Sequence, residues 1–194
     1  MVGDPSDGQL VVRLQSGDLD ALGMLYERHK TCVYRTALGI THDTVAAEDI
    51  LQDCFLRLHR YAYRVDHSLP LQPWLYRITT NLAYNWARKS KKGQISLDEI
   101  TECLVGPTHH SPEWQVEVQD ERSRIMDAVA SLTINQRIVI VLFYLNSLSV
   151  KEIATILECP VGTVKSRLYH GRENLRRKLE TRTQLMPEMA YGFT

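Results

Sequence analysis

Thr163, Lys165, Ser166, Tyr169 and His170 stand together in GTVKSRLYHGR, bringing hydroxyls, a cation, a phenol and an imidazole onto a few turns of chain. A major groove admits one helix, and it is read by such groups: short polar side chains, amide or guanidinium forks and cations on the helix's exposed N-terminal half. A second set, Arg77, Asn81, Asn85 and Arg88, recurs at helical spacing and can share one polar face. Tyr84 and Trp86 set aromatic surfaces among those cations, the combination that holds single strands by stacking and backbone charge. A third set, Asp49, Gln52 and Asp53, is acidic and suits a basic partner better than DNA.

Each set has a plainer alternative. A basic run is often only a solvated helix face. An acidic first turn can simply oppose the helix dipole. Trp74, Tyr76, Tyr84 and Trp86 can be core, and for Trp74 and Trp86, both on an apolar stripe, that reading is favoured. A metal-dependent hydrolase built on Cys103, His109 and His110 lacks a carboxylate-oriented cage, so no metal, no cofactor and no enzymatic activity is expected.

These sets need elements to hold them. Ile50, Cys54 and Leu58, with Leu51 and Phe55 beside them, predict an amphipathic helix over Val45–Tyr61, capped by Asp43 or Thr44. Leu22, Leu25, Tyr26, His29 and Val33 form a stripe upstream, and Trp74, Ile78, Leu82 and Trp86 form another downstream. At least three helices therefore close a small bundle between about Asp7 and Lys91. Helical spacing fails between Lys92 and Trp114, where glycines and prolines interrupt it, and resumes at Ile125, Val129 and Leu132. The apolar run Ile138–Leu145 predicts a fully buried helix ending at Asn146. No segment carries strand alternation flanked by hairpin signals.

The net charge of zero hides an ordered field. Leu75–Lys92 holds only cations among its charged residues, Asp98–Glu121 holds Asp and Glu but no Lys or Arg, and the stretch after Glu158 is basic again. The four cysteines, Cys32, Cys54, Cys103 and Cys159, are widely spaced and form no CxxC pair, which argues against a zinc knuckle or a disulfide framework. No run approaches membrane-spanning length, and the N-terminus lacks a basic flank followed by an apolar stretch, so a cytoplasmic protein without membrane insertion is expected.

Ser149, followed three residues later by Glu152, is a capping box that starts a helix near Val150. Ile153, Ile156 and Leu157 form its buried side, while Ala154 lets a second helix approach closely. Pro160 cannot continue that helix but suits the first turn of the next. In the second helix Val164, Leu168 and Leu175 make the apolar stripe, leaving the groove-reading set outward. The whole is a helix, a short turn and a helix.

The string LSVKEIATILECPVGTVKSRLYHGRENLRRKL resembles the C-terminal promoter-binding domain of bacterial RNA polymerase sigma factors, specifically the compact extracytoplasmic-function (ECF) type of the sigma-70 family. AEDILQDCFLRLHRY is similar to the sigma segment that docks on the clamp helices of the polymerase's largest subunit. PWLYRITTNLAYNWARKSKK is similar to the helix that opens and reads the melted promoter element.

The resemblance implies an all-α protein of two small helical domains joined by a flexible acidic linker. Region 2 covers 7–92, the linker 93–119 and region 4 120–181, with a tail over 182–194 that has no assigned role. It implies polymerase docking through Asp49, Gln52, Asp53, Phe55 and Arg57, and contact with the −10 element through Arg77, Asn81, Tyr84, Asn85, Arg88 and Lys89. Asn81 lies where the family contacts a flipped base, which the loop Ala62–Leu69 receives. For the −35 element it implies Thr163, Lys165, Ser166, Arg167, Tyr169, His170 and Arg172. His170 and Asn85 depart from residues common in the family. The implied partners are core RNA polymerase, through clamp helices and flap, promoter DNA as duplex and melted strand, and an inhibitory anti-sigma factor. The implied function is promoter recognition and melting for a stress or environmental-response regulon. A free-standing helix-turn-helix repressor or activator is the rival, but it leaves the acidic helix and the Asn81 segment without a role.

Overall fold

The computed structural model describes residues 4–90 and 124–184, and among these every regular element is helical. Cysteine 103, the histidines at 109 and 110, the stretch 93–119 and most of the tail lie outside the described residues.

Four helices make the first unit. Helix α1 (Asp7–Gln15) starts on a capping box in which the Ser6 hydroxyl accepts from the Gln9 amide and the Gln9 side chain accepts from the Ser6 amide. Helix α2 (Leu19–Thr41) is capped by the Asp18 carboxylate, which accepts from the amides of Asp20 and Ala21. It ends at His42, whose left-handed backbone (φ 55°) lets its amide donate to the Leu38 carbonyl. Asp43, one of the two caps that the sequence offers, then caps α3 (Thr44–Tyr61) by accepting from the Ala46 amide at 2.8 Å. A single 3-10 turn (Ala62–Arg64) leads toward α4 (Leu71–Ser90).

On α2 and α3 the inward faces follow the predicted stripes, through Leu25, His29 and Val33 and through Ile50, Cys54 and Leu58; on α4 the buried face is Leu71, Leu75, Thr79 and Ala83, one position beyond the predicted Trp74, Ile78, Leu82 and Trp86, which are only half-buried. Leu10, Leu25, Val33, Cys54, Leu58 and Leu75 are fully buried in one cluster of this unit. Burial pushes the Cys54 thiol up to about 12, so it is an inert core group.

The second unit comprises α5 (124–130), α6 (Ile134–Ile140), a π turn (Val141–Leu145), α7 (Val150–Ile156) and α8 (Val161–Gln184). The expected buried helix Ile138–Leu145 is split in two. Past Ile140 the Asn146 amide donates to the Val141 carbonyl, widening the coil to a π turn, with Tyr144 left exposed and Phe143 half-buried. The helix-turn-helix stands as read. The Ser149–Glu152 capping box is formed on both sides, and Ile153 and Ala154 are buried. Pro160 falls just before α8, its carbonyl accepting from Thr163 and Val164.

The two units are packed on each other. Ala37, Leu38 and Ile40 of α2 and Tyr76 and Ala83 of α4 share one buried cluster with Ile138–Leu142, Ile153 and Val164. Arg137 ties the units together. Its Nη1 donates to the Ile40 carbonyl at 2.8 Å, and its Nη2 donates to the carbonyls of Leu132 and Ala130.

Candidate nucleic-acid interface

Helix α8 presents the groove-reading set as the periodicity requires. Val164 and Leu168 turn inward, so Lys165, Ser166, Tyr169 and His170 are exposed, with Thr163 and Arg167 partly so. Tyr169 and His170 meet edge to face at 5.3 Å. Between His170 and Arg172, Gly171 is buried against α6. A Cβ there would meet Ile140 Cγ1 at 3.0 Å, so glycine lets α8 lie flat on its scaffold.

Arg172 is not a free-reaching cation. Its guanidinium lies 5.1 Å from the Phe143 ring and 5.4 Å from the Tyr144 ring, over the π turn that exposes them. Further along, Arg176 pairs with Glu173 at 3.2 Å within the helix.

On α4, Arg77, Asn81, Asn85 and Arg88 are all exposed, and Lys89 beside them is exposed too. Spacings of four and three residues place the first four on one face. Tyr84 is half-buried beneath Arg88, whose guanidinium sits 5.9 Å from its ring. Trp74 and Trp86 each pack against a core cluster, in keeping with the core reading preferred for them. Arg77 already has a partner, because its Nη2 lies 2.7 Å from Glu158 Oε1 in the turn before α8.

The connection ahead of α4 carries a feature that the sequence reading passed over. Arg64 stands between two phenols, 5.6 Å from the Tyr61 ring and 5.3 Å from the Tyr63 ring, and Tyr63 is largely exposed. The signal was legible in YAYR, where alternating aromatics and a cation offer a stacking surface beside the α4 cations. The Asp66 carboxylate accepts from the Ser68 hydroxyl at 2.6 Å and from its amide at 2.9 Å, and these bonds hold its pKa below the ordinary value.

On α3, Asp49, Gln52, Asp53 and Arg57 are exposed, and the helical spacing puts the first three on one face with Leu56, which is 62% exposed. Phe55 is a correction. It is buried, with its ring edge-on to Tyr26 at 5.0 Å, and belongs to the core and not to any docking face. It stands at the edge of the apolar stripe through Cys54 and Leu58, and α2, through Tyr26, covers it. Leu56 is the apolar surface residue that the reading of α3 missed. Among the described residues no cluster of histidine, cysteine, aspartate or glutamate could hold a metal.

Comparison with known proteins places these faces in a family context. The family model for sigma-70 region 2 matches residues 25–93 and that for sigma-70, region 4, matches residues 122–175. The ECF RNA polymerase sigma factor SigW of Bacillus subtilis is 34% identical over 177 residues, covering 87% of this chain and 94% of SigW. Among solved structures, CnrH in complex with the cytosolic domain of CnrY matches with a TM-score of 0.66 at 23% identity, covering 90% of this chain and 97% of CnrH. The sigma factor RpoE of Bartonella quintana, solved with the anti-sigma factor NepR, matches with a TM-score of 0.62 at 22% identity over 81% of this chain and 96% of RpoE.

Proposed function

This chain belongs to the ECF group of the sigma-70 family, and from that premise we propose which of its residues carry the steps of initiation. As a member of that family it is no enzyme. It binds core RNA polymerase and directs promoter recognition and DNA melting at the start of transcription.

Docking falls to α3. Asp49, Gln52 and Asp53 offer an acidic strip with Leu56 at its end and Arg57 beside it, complementary to a basic coiled coil. Reading and melting of the −10 element fall to the exposed α4 face, Arg77, Asn81, Asn85, Arg88 and Lys89, with Tyr84 as a half-buried aromatic floor. Asn81 contacts the flipped base and the loop 62–69 receives it, their hydrogen-bonding groups offsetting the few kcal/mol that unstacking costs. Tyr63, Arg64 and Tyr61 extend that surface with stacked rings.

Recognition of the −35 element falls to Lys165, Ser166, Tyr169 and His170 in the major groove, with Thr163 at the helix start and Arg167 toward phosphate. Arg172, seated on the aromatic pair, orients that end of α8 against the duplex backbone. The units divide as 7–92 and 120–181, with an acidic linker over 93–119 that follows the polymerase's RNA exit path. We assign the protein to the cytoplasm, where the RNA polymerase it serves acts. An anti-sigma factor covering the docking face is the expected inhibitor, and a stress or environmental-response regulon the expected output.

One observation carries this reading: three chemically distinct exposed faces, acidic on α3, mixed polar and basic on α4, groove-reading on α8, stand on a scaffold of the matched family. The test is reconstitution with sigma-free core polymerase on genomic fragments. Defined start sites are expected, and Asn81→Ala should retain core binding while losing at least about tenfold in open-complex formation. Absence of initiation at any defined start refutes the reading.

A further inference from the structure

Helix α1 takes no part in docking or reading, and the region 2 match begins only at residue 25. Its packing is nevertheless aimed at one place. Gly8, Val11 and Gln15 recur at i, i+3 and i+7, so they share one face over two turns, about 10 Å of helix. That face lies along the connection between α3 and α4. At its C-terminal end Gln15 Nε2 donates to the Ala62 carbonyl at 3.0 Å and to the Val65 carbonyl at 2.9 Å. In the middle, Val11 is buried in the same cluster as Ala62 and Val65. At the N-terminal end Gly8 abuts the His67 carbonyl so closely that a Cβ there would overlap its oxygen.

The helix is itself held firmly. Leu10, Val11 and Leu14 are buried, and Asp7 in its first turn lies 2.6 Å from Arg28 Nη1 and 2.8 Å from Nε2 of the buried His29. Arg28 also reaches Asp4 at 2.8 Å. Helix α2 thus fixes α1, and α1 fixes the connection. The grip is on backbone. Ala62 and Val65 are buried, whereas Tyr63, Arg64, Asp66, His67 and Ser68 are exposed. A chain gripped by its carbonyls keeps one course whatever side chains it displays, and those side chains stay free for a ligand.

We propose that α1 is the positioning element of the base-receiving loop, with Gln15 and Gly8 as positioning residues that hold 62–69 in the shape that accepts the flipped base. The inference rests on the assignment of that loop and Asn81 to the base. A loop left unheld must be ordered when the base arrives, and that ordering subtracts from affinity. A receiver already in shape loses nothing to it. Helix α1 touches no base; its effect passes through the loop carbonyls alone.

Gln15→Met tests this, because it removes both donors at nearly the same volume and changes a surface residue. Gly8→Ala is the second variant. It pushes the loop from the other end while favouring helix. Hydrogen exchange on the full chain should quicken about tenfold at the amides of Val65, Ser68 and Leu69 in each variant, with α3 and α4 unchanged. Holoenzyme is then titrated by fluorescence anisotropy with a single strand carrying the −10 element of a mapped start site. The comparison strand is abasic at the position where base removal weakens wild type most. Each variant should bind the intact strand about tenfold more weakly than wild type and the abasic strand equally well, since an empty receiver gains nothing from its shape. A general structural loss weakens both strands alike, and that result, or unchanged exchange in the loop, overturns the proposal. If Asn81→Ala abolishes the base dependence while both α1 variants keep it, the receiver stands and the role of α1 falls. If wild type binds every abasic strand as tightly as the intact one, the receiver assignment falls, and the role of α1 with it.

Discussion

His42 gives the sharpest handle on the junction between the units. Its side chain is buried, neither ring nitrogen has a hydrogen-bond partner, and it sits where α2 turns into α3 beside Arg137. Burial, with the Arg137 guanidinium adding repulsion and Asp127 opposing it, lowers its pKa to about 3 from an ordinary 6.5. The imidazole is therefore neutral in the fold, whereas the unfolded chain takes up a proton below about pH 6.5. Stability is fully present above that value and is lost as pH falls toward the folded pKa, at about 1.4 kcal/mol per pH unit. Between pH 7 and pH 5 the loss from this one group is about 2 kcal/mol, from 0.59 kcal/mol times the logarithm of the binding polynomials. His42→Asn removes the titration while keeping a residue that tolerates the left-handed backbone, φ 55°. Urea unfolding of both proteins at pH 7 and pH 5 reads the difference. Wild type should lose about 2 kcal/mol more than the variant over that interval; any constant offset from the smaller side chain cancels. Equal losses would refute the burial argument.

Two further outcomes follow from the same geometry. Arg137→Met should destabilise by about 2–4 kcal/mol in urea unfolding, because the carbonyls of Ile40, Ala130 and Leu132 lose a charged donor in a half-buried setting. Asp49→Lys with Asp53→Lys should leave the unfolding free energy within about 0.5 kcal/mol of wild type, since both side chains are exposed, while weakening core-polymerase binding at least about tenfold in a pull-down titration.

Much of the local architecture was written in the sequence. Asp43 as a cap, the Ser149–Glu152 capping box, the stripe through Ile50, Cys54 and Leu58, and the outward set from Lys165 to His170 all stand where spacing put them. Such features depend on hydrogen bonds and side-chain neighbours within one or two helical turns, so a window of a few residues contains their cause. The family resemblance drew on the same strings. Phe55 misled because a stripe edge does not reveal whether a neighbouring helix covers it, and Tyr26 does. The π turn was hidden by a continuous apolar run, which reads alike for any helical coil.

Only the tertiary structure decided how the units meet. Asn146 finds Thr36 across 110 residues and Arg137 finds Ile40 across 97, and no periodicity encodes such a pairing. Nothing in the sequence singles out Gly39, against which Val141 and Leu145 lie in the fold. Nor does anything in the sequence mark His42, whose suppressed protonation exists only because packing takes water away and brings Arg137 near. Burial and long-range charge are properties of the assembled fold, set by which surfaces exclude water together, whereas helix, cap and face are properties of the chain's own repeat.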